Sequence, residues 1–304
     1  MSRLPTDPDY LLRHGNSSRS PPLQQTTIAQ ALQQTQPDIA ATDARMLLQS
    51  VLNVSHAHLI AHPSQELAPE QAQQFYSLAV RRAAGEPVAY LVGEREFYSL
   101  NFKVTPAVLI PRPETELLVD LALERVSIDR PDKVLDLGTG SGAVAITIGK
   151  HRPLASVTAV DSSAAAIAVA RVNARHLVVT NVRMLASDWF SGVDGEEFDL
   201  IVSNPPYVAD GDPHLEQGDL RFEPRTALAA GSDGLDCIRC IITSAIAHLS
   251  VGGWLLLEHG YDQAAACRRL LSKAGFGEVF SHPDLAGTMR VSGGKRGNLP
   301  AQSC

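Results

Sequence analysis

At 304 residues, with 44% hydrophobic and 19% charged content, the chain has the make-up of a soluble globular protein of one large or two ordinary domains. Its net charge of −7, from 33 acidic and 26 basic side chains, argues against a tight sequence-independent grip on duplex DNA. No run approaches the roughly 20 apolar residues of a membrane helix, and four cysteines make no disulfide framework in so long a chain.

Residues 1–25 lack an apolar signal core, carry Asp7 and Asp9, and read as a disordered extension, so the expected location is the cytoplasm. Residues 26–95 are helical in pattern and contain no lysine. In "TDARMLLQSVLNV", Ala44, Leu47, Leu48, Val51 and Leu52 share one face, with Thr42 the expected N-cap and Asp43 in the first turn. "APEQAQQFYSLAVRRAAG" repeats the scheme, with Pro69 near its start and Gly85 near its end. The pattern predicts a small helical bundle. His56, His58 and His62 match no common metal spacing and read as loop histidines; no metal site is expected.

Residues 96–113, rich in aromatic and β-branched side chains, read as a hairpin linking the two halves. From 114 to 294 strands and helices alternate, starting with "KVLDLG", "AVAITIGKH", "SVTAVD" and "AAAIAVARVNARH". Continuous apolar strands separated by amphipathic helices predict an α/β domain on a mostly parallel, doubly wound sheet. "EVFSHPDLAGTMRVSGG" is expected to add a strand pair, one of them antiparallel, before a tail at 295–304. Cys237 and Cys240 form a C-x-x-C inside a helical pattern; packed thiols are the simpler reading against zinc or redox chemistry.

Open α/β sheets bind ligands at the carboxyl ends of their strands. The first strand ends in "DLGTGSG", whose Gly138, Gly140 and Gly142 let backbone approach a ligand. The spacing is G-x-G-x-G, not the dinucleotide G-x-G-x-x-G, and the following helix offers no basic residue for a diphosphate. S-adenosylmethionine, which has no phosphate, suits this loop better. The next strand ends in Asp161, placed to accept from a ribose diol or to cap the helix after it with Ser162. "SDWF" follows the third strand, offering Asp188 to an adenine amino group and the Trp189 ring for stacking or for the core.

The fourth strand stops on Asn204-Pro205-Pro206-Tyr207. Two prolines remove backbone donors and stiffen the turn, leaving carbonyl acceptors beside the Asn204 side chain. Two acceptors suit an incoming planar –NH2. They strengthen as positive charge develops on nitrogen, and they aim its lone pair at an activated methyl. A proline-rich strand terminator is the alternative for these four residues alone.

"LIPRPETELLVDLAL", "VLDLGTGSGAVAI", "SNPPYV", "RFEPRTALAAGSDGLD", "LLLEHGYDQ" and "DLAGTMRV" together resemble the PrmC (HemK) family. These are the protein-(glutamine-N5) methyltransferases of peptide chain release factors. The resemblance runs from near Asp43 to about Gly294 and includes "GEPVAYLVGEREF". It implies a seven-stranded Rossmann-like domain using S-adenosyl-L-methionine, with S-adenosyl-L-homocysteine as product. Gly138, Thr139, Gly140, Ser141 and Gly142 would wrap the methionine part, Asp161 the ribose, and Asp188 and Trp189 the adenine. Asn204 and the Pro205 carbonyl would hold the target amide, with Pro206 and Tyr207 completing the pocket. The implied partners are class 1 release factors, docked with help from the N-terminal helices through the Gly-Gly-Gln loop. Arg112 and Glu114 either shape the site or pair ionically. Asn-Pro-Pro-Tyr also occurs in adenine-N6 methyltransferases of nucleic acid, but residues 1–95 hold seven arginines against eight acids, unlike a basic DNA-reading module.

Overall fold

A computed structural model describes residues 26–297, and the expected extension at 1–25 and the end of the tail lie outside them. The described chain divides between Ala84 and Gly85 into two units. In the first, α1 (Ile28–Thr35) starts with a capping box: the Thr27 hydroxyl accepts from Gln30 N, and Thr27 N donates back to the Gln30 side chain. α2 (Ala41–Leu52), α3 (His56–Ala61) and α4 (Pro69–Ala83) follow. Leu47, Leu48, Leu59 and Phe75 are buried among them. α2 begins one residue before Thr42, so that hydroxyl lies inside the first turn and Ala40 is the N-cap. Asp43 does occupy the first turn, where it pairs with Arg82 of α4 at 2.7 Å. His56 and His58 belong to α3 rather than to a loop, and His58 stacks on His62 at 4.2 Å.

The second unit opens with α5 (Val88–Val92) and a short hairpin, β1 (Glu94–Phe97) and β2 (Leu100–Lys103). The expected hairpin at 96–113 is therefore shifted. Its strands begin two residues earlier and end at Lys103, because Pro106, Pro111 and Pro113 deny the later segment its ladder donors. Val104, Val108 and Ile110 of that segment are buried instead against Tyr90 and Ala166. A 3-10 turn, Pro113–Thr115, leads into α6 (Glu116–Arg125), a helix the sequence pattern did not reveal.

The rest builds the expected sheet: β3 (Lys133–Leu137), α7 (Ala143–His151), β4 (Ser156–Asp161), α8 (Ala164–His176), β5 (Val182–Ala186) and β6 (Phe198–Ser203). α9 (Asp236–His248), β7 (Leu249–Glu258), α10 (Ala264–Lys273), β8 (Phe276–Pro283) and β9 (Met289–Arg296) complete it. The seven strands lie in the order β5-β4-β3-β6-β7-β9-β8, with β9 antiparallel to both its neighbours. Alternate residues of each strand enter opposite cores. Val134, Val157, Leu200 and Leu256 pack with α6, α7 and α8, while Leu135, Val160, Ile201 and Leu255 pack with α9 and α10. Burial on both faces is why these strands read as unbroken apolar runs. After β3 the chain turns outward to β4, while β6 flanks β3 on the other side, so the order reverses between β3 and β6.

Candidate functional site

That reversal places a cleft of about 340 Å3 at the carboxyl ends of β3, β4, β5 and β6. Gly138, Gly140, Asp161, Asp188, Trp189, Asn204 and Pro206 all line it. A recess of about 50 Å3 continues past the glycine turn and is lined by Thr139, Ser141, Asp136, Thr115 and Arg112, with Leu109, Gly138, Gly140 and Asn204 shared between the two. Gly142 faces elsewhere: a Cβ there would stand 2.7 Å from Ile146 and 3.2 Å from Ala170, so it serves the packing of α7 on α8. Pro205 is buried, and the Tyr207 hydroxyl donates to Glu258 at 3.2 Å; neither side chain is part of the cleft lining.

The glycine turn is tied on both sides. Gly138 and Gly140 sit at φ +71° and +56°, and a Cβ on Gly140 would meet no protein atom, only the space of the cleft. Asp161 accepts Gly140 N at 2.9 Å with one carboxylate oxygen and Ser163 N at 2.9 Å with the other. Each oxygen keeps a lone pair, so a diol could still be bound. The capping expected of Asp161 and Ser162 falls to Ser163, whose hydroxyl accepts from Ala166 N at 3.1 Å. Behind the turn, buried Asp136 accepts from the Thr139 hydroxyl at 2.6 Å and from Ala145 N at 3.2 Å. Burial outweighs those bonds and pushes its carboxyl up to about 7. Asn173 of α8 donates to the carbonyls of Ser141 and Lys103, both at 2.9 Å, joining turn and hairpin.

Trp189 sits in the left-handed region at φ +45°, a conformation bulky residues seldom adopt. Ser187 holds it there. Its hydroxyl donates to Trp189 O at 3.1 Å and accepts from Gly192 N at 2.8 Å. The indole is half-buried, touches the core beneath α9, and comes within 3.7 Å of where a Gly138 Cβ would stand. Core and cleft-wall placements therefore both hold. Cys237 of α9 also lines the cleft, a placement the C-x-x-C reading did not foresee; burial pushes its thiol up. No cluster of metal-ligating side chains occurs among the described residues.

Asn204 follows Ser203, which lies opposite Leu137 in the β3–β6 register, so Asn204 neighbours Gly138. Its Nδ2 donates to the Thr115 hydroxyl at 3.0 Å. Thr115 lies within "IPRPETE", one position beyond Glu114, and sequence reasoning passed over it. Arg112 of the same motif pairs with the buried carboxylate of Glu223, which also accepts Ile110 N at 3.1 Å. Arg112 therefore does both things expected of it, pairing with Glu223 and lining the recess beside the glycine turn. The signal for these partners was present, since Glu223 sits in "RFEPRTAL" and Glu258 in "LLLEHGYDQ", but only folding shows which motif holds which.

Among the described residues lining the larger cleft, Asp161 and Asp188 carry the only formal charges. A diphosphate would face carboxylates in that larger cleft, and the guanidinium of Arg112 in the adjoining recess is already paired with Glu223. A cationic sulfonium compound bearing a ribose and an adenine fits this donor and acceptor set.

Comparison with known proteins agrees with that geometry. Residues 114–219 match the model of the methyltransferase small domain, and residues 25–93 match that of the PrmC N-terminal domain. A release factor glutamine methyltransferase of Burkholderia pseudomallei (strain K96243) is 52% identical over 261 residues, covering 84% of this chain and 92% of that protein. The chain belongs to the release factor glutamine methyltransferase family. Another member, from Bordetella pertussis, is 51% identical over 259 residues, covering 85% of this chain and 96% of its own length. A solved methyltransferase of Pyrococcus furiosus, 20% identical, shares the fold with a TM-score of 0.50 over 76% of this chain and 100% of its own. Within the family's motifs, this member places Asn204, Thr115 and the glycine turn around one shared space.

Proposed function

We propose that this chain transfers a methyl group from S-adenosyl-L-methionine to the side-chain amide nitrogen (N5) of glutamine in the Gly-Gly-Gln loop of class 1 release factors. The observation that carries this reading is the orientation of Asn204. Its amide nitrogen is engaged by Thr115, which leaves Oδ1 as an acceptor beside the glycine turn. S-adenosylmethionine supplies, when bound, an electrophilic methyl carbon on sulfonium sulfur. Gly138, Gly140, Thr139 and Ser141 would hold its methionine part, Asp161 its ribose, and Asp188 and Trp189 its adenine.

Asn204 Oδ1 and the Pro205 carbonyl accept the two N–H bonds of the target carboxamide. The nitrogen lone pair, delocalised in the free amide, is then directed at the methyl group. Positive charge grows on nitrogen as the bond forms, so these acceptors stabilise the transition state more than the ground state. Holding both reactants in line removes much of the entropic barrier. The methylated nitrogen is strongly acidic and loses its proton without a dedicated base. Pro206 and Tyr207 stiffen and flank the bend.

The N-terminal helices, near neutral and with Met46, Ile60 and Val80 exposed, suit contact with a protein partner. We place the activity in the cytoplasm, where translation ends; no helix among the described residues is long and apolar enough to cross a membrane. Mass spectrometry of a release factor treated with this protein and S-adenosylmethionine tests the reading. One added methyl on the Gly-Gly-Gln glutamine is expected, and its loss in Asn204→Ala with cofactor binding retained. Methylation of DNA adenine, with none on the release factor, would reject it.

A further inference from the structure

Ser187 lines the cleft and is 7% exposed, yet its hydroxyl has nothing left to offer a ligand. The Trp189 carbonyl, 3.1 Å away, can only accept, so the one hydrogen of the hydroxyl goes there. Gly192 N donates to the hydroxyl oxygen at 2.8 Å. The Ser191 hydroxyl, 3.1 Å away, must then donate as well, which fills the second lone pair. The approach is close: a Cβ on Gly192 would stand 2.9 Å from both Cβ and Oγ of Ser187. Main-chain bonds extend the tie, with Ser187 N donating to Asp161 O at 2.9 Å and Ser191 N to Asp188 O at 3.0 Å. Phe190, within the same turn, is buried and stacks on His248 of α9 at 4.7 Å.

We propose that Ser187 is a positioning residue for the adenosine half of the cofactor, holding the Trp189 ring at the cleft wall before ligand arrives. The inference rests on the adenine role given to Trp189 above and supplies the device behind it. Left-handed backbone at φ +45° is unfavourable for a bulky side chain. A turn without its ties would relax and carry the indole off the wall beside Gly138. The Ser187 hydroxyl, bonded to the backbone of both Trp189 and Gly192, opposes that relaxation. Adenine then meets a ring already in place, and binding loses less entropy. Because Ser187 N also holds Asp161 O, the ribose acceptor and the ring are tied to one residue. A hydroxyl saturated within the protein gives the ligand no bond, so its influence passes through Trp189.

Calorimetric titration with S-adenosyl-L-homocysteine tests this. Ser187→Ala should bind it about tenfold more weakly, the effect of one lost hydrogen bond. Trp189→Ala should bind at least as weakly. The double variant should be no weaker than Trp189→Ala alone, since Ser187 acts through the ring. Ser191→Ala, which leaves the bonds to Trp189 O and Gly192 N, should stay within about twofold of wild type.

With release factor as substrate, Ser187→Ala should raise KM for S-adenosylmethionine about tenfold at near-wild-type kcat, because the amide pocket is untouched. Urea melts report whether each variant folds. Should Ser187→Ala fail to fold, Gly192→Ala, which keeps the hydroxyl but crowds it, carries the same expectation. Additive losses in the double variant would overturn the positioning role alone. So would wild-type affinity in Ser187→Ala beside a weakened Trp189→Ala. Wild-type affinity in Trp189→Ala would remove the adenine reading and this inference with it.

Discussion

The carbonyl oxygen of Tyr207 lies so near Gly234 that a Cβ on Gly234 would stand 2.2 Å from it. Gln263 completes the clamp. Its Nε2 donates to that carbonyl at 3.0 Å and to Asp233 O at 3.3 Å, while its Oε1 accepts Gly260 N at 2.8 Å. The bend that carries Asn204 is thus gripped by two other segments of the motif set. Gly234 is also at φ +71°, where an L side chain is strained. Gly234→Ala should cost about 1–3 kcal/mol in a urea melt. It should lower methyl transfer further than cofactor binding, because the displaced group is the acceptor bend.

Arg112→Met should destabilise the fold by about 3–5 kcal/mol, since the side chain of Glu223 is fully buried and would lose its charge partner. Burial already raises the Glu223 carboxyl against the pull of Arg112. Replacing both partners, Arg112→Met with Glu223→Gln, should recover part of the loss. Equal urea midpoints for the single variant and wild type would refute the pairing as a structural clamp.

Asp161→Ala removes two things together: an acceptor pair facing the cleft and the partner of Gly140 N. Cofactor affinity should fall about 10- to 100-fold, the effect of one charged hydrogen bond. Asp161→Asn should lie between, because its amide keeps one accepting oxygen. Calorimetric titration with S-adenosyl-L-homocysteine reads both.

Asp136 should leave a mark on stability against pH. Its carboxyl is raised from 3.8 to about 7 in the folded chain, so the folded state binds more protons than the unfolded state between those values. Its contribution is fully present below about 4 and is lost as pH rises through about 7. Asp136→Asn should flatten that part of the slope in urea melts run from pH 5 to pH 8. An unchanged slope would mean that Asp136 is ionised throughout.

The central sheet was legible because burial on both faces leaves a local signature: β3, β4, β6 and β7 are each an apolar run with a turn signal at its end. The turn chemistry was equally local, in three glycines and two prolines. Thr42 misled because a helix start depends on where packing begins α2, and packing begins it at Ala41. The late segment of the expected hairpin misled because β-branched residues at Val104, Val108 and Ile110 mark burial as readily as strand pairing. α6 went unread because its apolar residues are spread around much of the helix, with Leu118, Val119, Leu121 and Ala122 all buried.

By itself the chain determined its doubly wound sheet, the glycine turn, Asp161 at the next strand end and the Asn-Pro-Pro-Tyr bend, since each is written in adjacent residues. Tertiary structure alone decided that Thr115 meets Asn204, that Glu223 meets Arg112, and that Gln263 meets Tyr207, pairs separated by 89, 111 and 56 positions. Side chains that must be satisfied once buried find whichever partner the sheet order brings near, and no local pattern encodes that order.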